Sequence, residues 1–166
     1  MQSQAGASIV ELALVVPVIV ILVFTAFPLA IRLKGAQISD SLSRELTSAA
    51  YRECIADRSA AGSLKFDPQQ CLDDMIATFT AQTAEIAPSA TFVVSLYTYD
   101  PSTREITLVS KSATNGQQSR VGLETFARAD EYGISLKLSI AQVQRLMIGE
   151  VFYRENGSEQ YASTVI

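Results

Sequence analysis

A single carboxylate, Glu11, stands five residues after Gly6 and directly before Leu12–Ile31, a run of twenty uncharged, mostly apolar residues. A carboxylate near lipid is unfavourable by on the order of 2–3 kcal/mol unless it lies at the interface or is paired. Glu11 therefore reads either as an interfacial anchor at the mouth of a membrane helix or as one half of a working unit with Gly6. Two further sets invite chemistry. Cys54 and Cys71 are too few for a zinc site and do not form a C-x-x-C redox pair. They can close one disulfide outside a reducing compartment or remain two buried thiols. Asp73 and Asp74 are adjacent acids with no convergent carboxylates nearby in sequence, so they read as solvated partners of a helix dipole rather than a cation site. The chain has no histidine, which excludes a Ser-His-Asp or Cys-His set and any histidine-ligated metal. No glycine-rich phosphate loop follows a strand and no G-x-S-x-G occurs, so no enzyme chemistry, metal or cofactor is expected.

The element that must position Glu11 is the apolar run itself. At about 1.5 Å per residue it makes a helix roughly 30 Å long, which matches the hydrocarbon thickness of a bilayer. A cleaved secretory signal is the competing reading, but its apolar core is shorter and ends in small residues. Here the run ends in Pro28-Leu-Ala-Ile-Arg32, and retention is expected. The string G-A-S-I-V-E-L-A-L-V-V-P, Gly6 to Pro17, resembles the processing site and N-terminal helix of type IV pilin-like proteins, and most of all the TadE-like minor pilins of the tight-adherence pilus. That resemblance implies cleavage between Gly6 and Ala7 by a membrane prepilin peptidase. It makes Glu11 the assembly glutamate and matches Pro17 to the proline that follows the glutamate. The new ammonium on Ala7 would then meet Glu11 of a neighbouring subunit in a low-dielectric helix bundle. Such a pair rewards the correct stagger between subunits, a registry role for a buried charge. Met1–Gly6 departs from the usual leader in carrying no basic residue. Arg32 and Lys34 follow the span, and the positive-inside rule alone would put that end in the cytoplasm. The glycine–glutamate spacing is the more specific signal, and it places the remainder in the periplasm or outside.

Charge narrows the partners. The chain has 13 cations and 17 anions; Arg32, Lys34 and Glu11 flank the span, which leaves 11 cations against 16 anions and a net charge of −5 for the remainder. That disfavours nucleic acid or anionic lipid as a partner of this part.

The layout expected is α+β: residues 1–6 as leader, 7–33 as transmembrane helix and 34–166 as an extracytoplasmic head. Ile31, Gly35, Ile38, Leu42, Leu46, Ala49 and Ala50 recur at helical spacing, so the N-terminal helix should continue into the head, with Gly35 as a weak point and Ser59–Ser63 as its end. Asp67-Pro68 opens a second helix whose stripe is Leu72, Ile76, Phe79, Thr83 and Ile86 and which stops before Pro88. A disulfide, if present, would tie the end of the first helix to the start of the second. From Thr91 the pattern alternates to about Tyr99. Asp100–Thr103 turns the chain, and Glu105–Ser110 returns as a hairpin partner. Lys111–Arg120 reads as a polar loop, and Val121–Ile140 has no dominant period, with a short helix allowed near Leu123–Ala129 and one or two turns from Ser139. Met147–Arg154 is strand-like, and Asn156-Gly157 is a type I′ turn into Gln160–Ile166. Gly149–Arg154, G-E-V-F-Y-R, is also similar to a late strand of TadE-like heads.

Two functions from different classes follow. The resemblance implies a processed minor pilin-like subunit in the bacterial inner membrane, which initiates, caps or couples a tight-adherence pilus. Its partners would be other pilin subunits through the N-terminal helix, the prepilin peptidase, the assembly platform and membrane lipid. The alternative is an unprocessed single-span protein whose external domain senses or binds a ligand.

Overall fold

The computed structural model describes residues 4–56, 67–155 and 157–166, and residues 4–11 without their side chains. The chain divides into two compact units, Met1–Gly35 and Ala36–Ile166. Helix α1, Gln4–Tyr51, contributes to both.

In the first unit, α1 is continuous through Pro17 and Pro28. The large apolar side chains from Leu12 to Leu33 are mostly exposed, and the helix is long and apolar enough to cross a membrane. That combination gains free energy in hydrocarbon, where every exposed methylene leaves water. The one hydroxyl in its middle is satisfied locally: Thr25 Oγ1 bonds back to the carbonyls of Ile21 and Leu22, each at 3.0 Å. Such back-bonding hides a polar group that hydrocarbon cannot solvate. The helix runs through Gly35 without a break.

The second unit is α+β, with helices on an antiparallel sheet. After α1 comes a single π-helical turn, Arg52–Ala56, then α2, Pro68–Thr83. The Asp67 carboxylate caps α2 by accepting from the Gln69 N–H at 2.9 Å, and Pro68 takes the first helical position, where its missing N–H costs nothing. Strands β1, Ala90–Asp100, and β2, Glu105–Ala113, form a hairpin. At its turn, Asp100 Oδ1 accepts from the N–H and the hydroxyl of Ser102, and these bonds hold the Asp100 carboxyl below the usual carboxylate range. A 3-10 turn, Thr114–Gly116, leads on to helices α3, Leu123–Phe126, and α4, Glu131–Val143. Strands β3, Arg145–Glu155, and β4, Ser158–Val165, complete a sheet of order β2-β1-β3-β4. All its pairings are antiparallel, with Val94 opposite Gly149 and Val151 opposite Ala162.

Because β2 and β3 both run antiparallel to β1, their connection must cross over β1, and α3 and α4 are that crossover. The sheet is therefore covered on both faces. On one, Phe92, Val94, Leu96, Met147, Val151 and Tyr153 meet Leu42, Leu46 and Ala50 of α1 and Leu72, Ile76 and Phe79 of α2. On the other, Tyr97, Leu146 and Ile148 meet Val121, Phe126, Leu136 and Ile140.

Several boundaries differ from expectation. The second helix ends at Thr83, whose carbonyl accepts from both Ile86 and Ala87 N–H groups, and Ile86 turns outward, 69% exposed. Pro88 disfavours helical backbone at Ala87, which sets the outer limit of the helix. Strand β2 runs on to Ala113 rather than ending at Ser110, because Val93–Leu96 offer it partners through Ala113. The stretch without a dominant period holds a 13-residue helix, α4. Ile134 and Leu138 put large apolar side chains on its outer face among polar ones, and this blurs the periodicity. The Ser59–Ser63 loop and Asn156 of the proposed turn lie outside the described residues.

Candidate functional site

Two features of the second unit are built to a tolerance that ordinary packing does not need. The first is the seat of α1 on the sheet. Ser39, Ser43 and Thr47 recur every fourth residue beside the Leu42, Leu46, Ala50 stripe, and all are fully buried. Small side chains let a helix approach a sheet closely, and here the approach centres on Gly149 of β3. Ser43 Oγ is bonded to the Gly149 carbonyl at 3.0 Å and to Thr164 Oγ1 of β4 at 2.9 Å. Thr47 Oγ1 bonds back to the Ser43 carbonyl at 2.6 Å. A Cβ on residue 149 would lie 2.1 Å from Thr47 Oγ1, so the seat requires glycine. The helix is thus held to two strands by hydrogen bonds as well as by apolar contact.

The second feature is Glu150, the next residue in β3, on the opposite face of the sheet and completely buried. A buried carboxylate is tolerated where donors replace its water. Glu150 has three: the Ser119 hydroxyl, the Arg120 N–H at 2.8 Å and the Tyr161 hydroxyl at 2.9 Å. Above it the Arg120 guanidinium lies over the rings of Tyr161 and Phe152, at 4.6 and 5.3 Å from their centroids. Arg120 and Arg154 both pair with Glu159, at 2.5 and 3.1 Å. Burial, with a contribution from the Glu150 charge, pushes the Tyr97 phenol up to about 12, and burial also raises Tyr161. Tyr97 donates to the Val121 carbonyl at 2.8 Å. With its oxygens taken by three donors, Glu150 is an anchor that ties the 119–121 segment and β4 to β3.

Cys54 and Cys71 form a disulfide between the π-helical turn after α1 and the first turn of α2. Gln69 adds a second tie, its side-chain amide bonding both the N–H and the carbonyl of Lys111 in the edge strand β2. Asp73 and Asp74 are exposed, and among the described residues no group of three or more His, Cys, Asp or Glu could hold a metal ion. Gly6, Ala7 and Glu11 lie on α1, and Pro17 is inside it. The side chains of Ala7 and Glu11 are outside the description, as is the pairing assigned to Glu11. A pocket of about 280 Å³ beside Arg154, lined by Ser89, Thr91, Gln117, Phe152 and Glu159, is open to solvent and has no convergent titratable set.

Glu150, Ser119 and Tyr161 went unseen at the level of sequence. The available signal was a carboxylate in a strand, G-E-V-F-Y, whose neighbours are all residues of the interior.

The chain matches no known protein family, no curated protein and no solved structure.

Proposed function

We propose that this chain is a processed minor pilin-like subunit, anchored in the bacterial inner membrane with its head in the periplasm or outside, that takes part in assembling a tight-adherence pilus. The observation that carries the reading is the spacing of Gly6, Ala7 and Glu11 at the entrance of an apolar run on an unbroken helix that extends to Tyr51. Its partners are other pilin subunits through α1, the prepilin peptidase, the assembly platform and lipid. The role is structural, not enzymatic. In a fibre held together by packed helices, pull on one subunit is borne by the joint between its helix and its head. The bonds from Ser43 to Gly149 and Thr164 suit such a joint, because they resist sliding along the helix axis as apolar packing alone does not.

The glutamate separates assembly from insertion. Glu11→Ala should leave membrane insertion unchanged, since it removes a charge from the end of an apolar helix, and should abolish co-purification with pilus partners. Unchanged co-purification would remove Glu11 from its assigned role.

A further inference from the structure

The sheet has two edge strands, β2 and β4, and they are finished differently. An edge strand presents N–H and C=O groups with which another strand can pair, and folded proteins usually blunt it. Strand β2 is blunted. The Gln69 amide fills the outward side of Lys111, accepting from its N–H at 3.2 Å and donating to its carbonyl at 2.9 Å. Val109 is an extra residue opposite the step from Leu96 to Tyr97, a bulge that breaks the register.

Strand β4 carries none of these guards. Its register with β3 is unbroken from Ser158 to Val165, and it contains no proline and no lysine. Ile166 and Met147 exchange both backbone bonds, at 3.0 and 2.8 Å. Bonded and unbonded pairs alternate along an antiparallel ladder, so Thr164, Ala162 and Gln160 bond to β3. The N–H and C=O groups of Glu159, Tyr161, Ser163 and Val165 therefore point outward, and among the described residues none of them has a backbone partner. The only charged side chain on the strand, Glu159, is already matched by Arg120 and Arg154.

We propose that an extended segment of a different polypeptide adds to this edge as a fifth strand of the sheet. An extended backbone repeats its donors and acceptors at the spacing that β4 offers. The segment is uncharged where it crosses β4, because a charge placed there finds no free partner on the strand. A second copy of this chain fits badly in each way it could pair. Two β4 strands pair antiparallel about an axis normal to the sheet. That axis reverses α1, which lies on the sheet and is one unbroken helix, so the two apolar ends run in opposite directions and cannot enter one membrane. Parallel pairing about an axis along the strands sets each N–H opposite its own copy. Head-to-tail pairing of β4 with β2 meets the Gln69 amide. The choice of a different chain rests on α1 as a membrane anchor, and requires neither cleavage at Gly6 nor a pilus.

The test uses the full chain in its native membranes, with photoreactive benzoylphenylalanine in place of Gln160. Irradiation should give an adduct whose mass differs from twice that of the chain. Ser163→Pro removes an outward N–H and leaves the ladder with β3 intact, so it should cut the adduct yield roughly tenfold. Ser163→Ala keeps the N–H and should leave the yield unchanged. Hydrogen exchange on the unsubstituted chain reads the same edge without any variant. The amides of Glu159, Tyr161, Ser163 and Val165 should exchange roughly tenfold or more slowly in native membranes than in detergent. Absence of an adduct, an adduct of twice the chain mass, an adduct that survives Ser163→Pro, or equal exchange in the two settings overturns the proposal. A chain that still begins at Met1 would change none of these outcomes, so this test and that of processing fail separately.

Discussion

Thr47 of α1 stands directly over Gly149 of β3, so close that a Cβ on residue 149 would fall 2.1 Å from the Thr47 hydroxyl oxygen. Gly149→Ala should therefore lift the helix from its seat and destabilise the head by about 1–3 kcal/mol, the range for overpacking a close-fitted site. Thr47→Ala in the same chain removes the oxygen that the new methyl meets and should recover part of the loss. Denaturant unfolding of the detergent-solubilised chain reads both effects; additive losses would show that the two residues do not share the contact.

Glu150→Gln keeps the shape of the buried side chain but replaces one acceptor oxygen with a donor. The Ser119 hydroxyl, the Arg120 N–H and the Tyr161 hydroxyl all donate to the carboxylate, and a neutral amide in its place weakens these charge-assisted bonds. The expected loss is about 2–3 kcal/mol, read by the same unfolding measurement. A neutral result would mean that water reaches the site.

Alkaline pH should unfold the head through its buried phenols. Tyr97 holds its proton to about 12 when folded and Tyr161 is raised as well, whereas a tyrosine in an unfolded chain ionises near about 10. The stability from keeping these phenols neutral is complete below about pH 10 and declines as pH rises toward the folded value. Titration of tyrosinate absorbance should show exposed tyrosines ionising first and a late phase coincident with unfolding. A single early phase that includes all six tyrosines would contradict this.

Reduction of Cys54–Cys71 opens a link across 17 residues of sequence and should destabilise the head by about 3 kcal/mol on the chain-entropy account. The denaturant midpoint with and without reductant measures it. Equal alkylation of both cysteines in the two conditions would show that the bond is not formed in the cell.

What could be read from sequence follows from how each face is solvated. The Asp67-Pro68 start of α2 was legible because capping and the fixed proline backbone are local effects. The Leu42, Leu46, Ala50 stripe was legible because one side meets water. Ser39, Ser43 and Thr47 were not, since small hydroxyl residues look like a solvated face and become a buried one only through Gly149, more than a hundred residues away. Helix α4 was hidden because Ile134 and Leu138 put apolar side chains on its outer face. Glu150 was hidden because its three donors come from distant stretches of chain. The placement of Gly6, Ala7 and Glu11 on a helix was legible, while the cleavage and pairing proposed for them involve other molecules.

The most direct test of the account is the N-terminus of the mature protein. Intact mass or N-terminal sequencing of chain extracted from its native membrane should show Ala7 as the first residue, bearing the free amine that Glu11 of a neighbour would meet. A chain that still begins at Met1 in cells containing the prepilin peptidase would contradict it and favour an anchored ligand-binding domain.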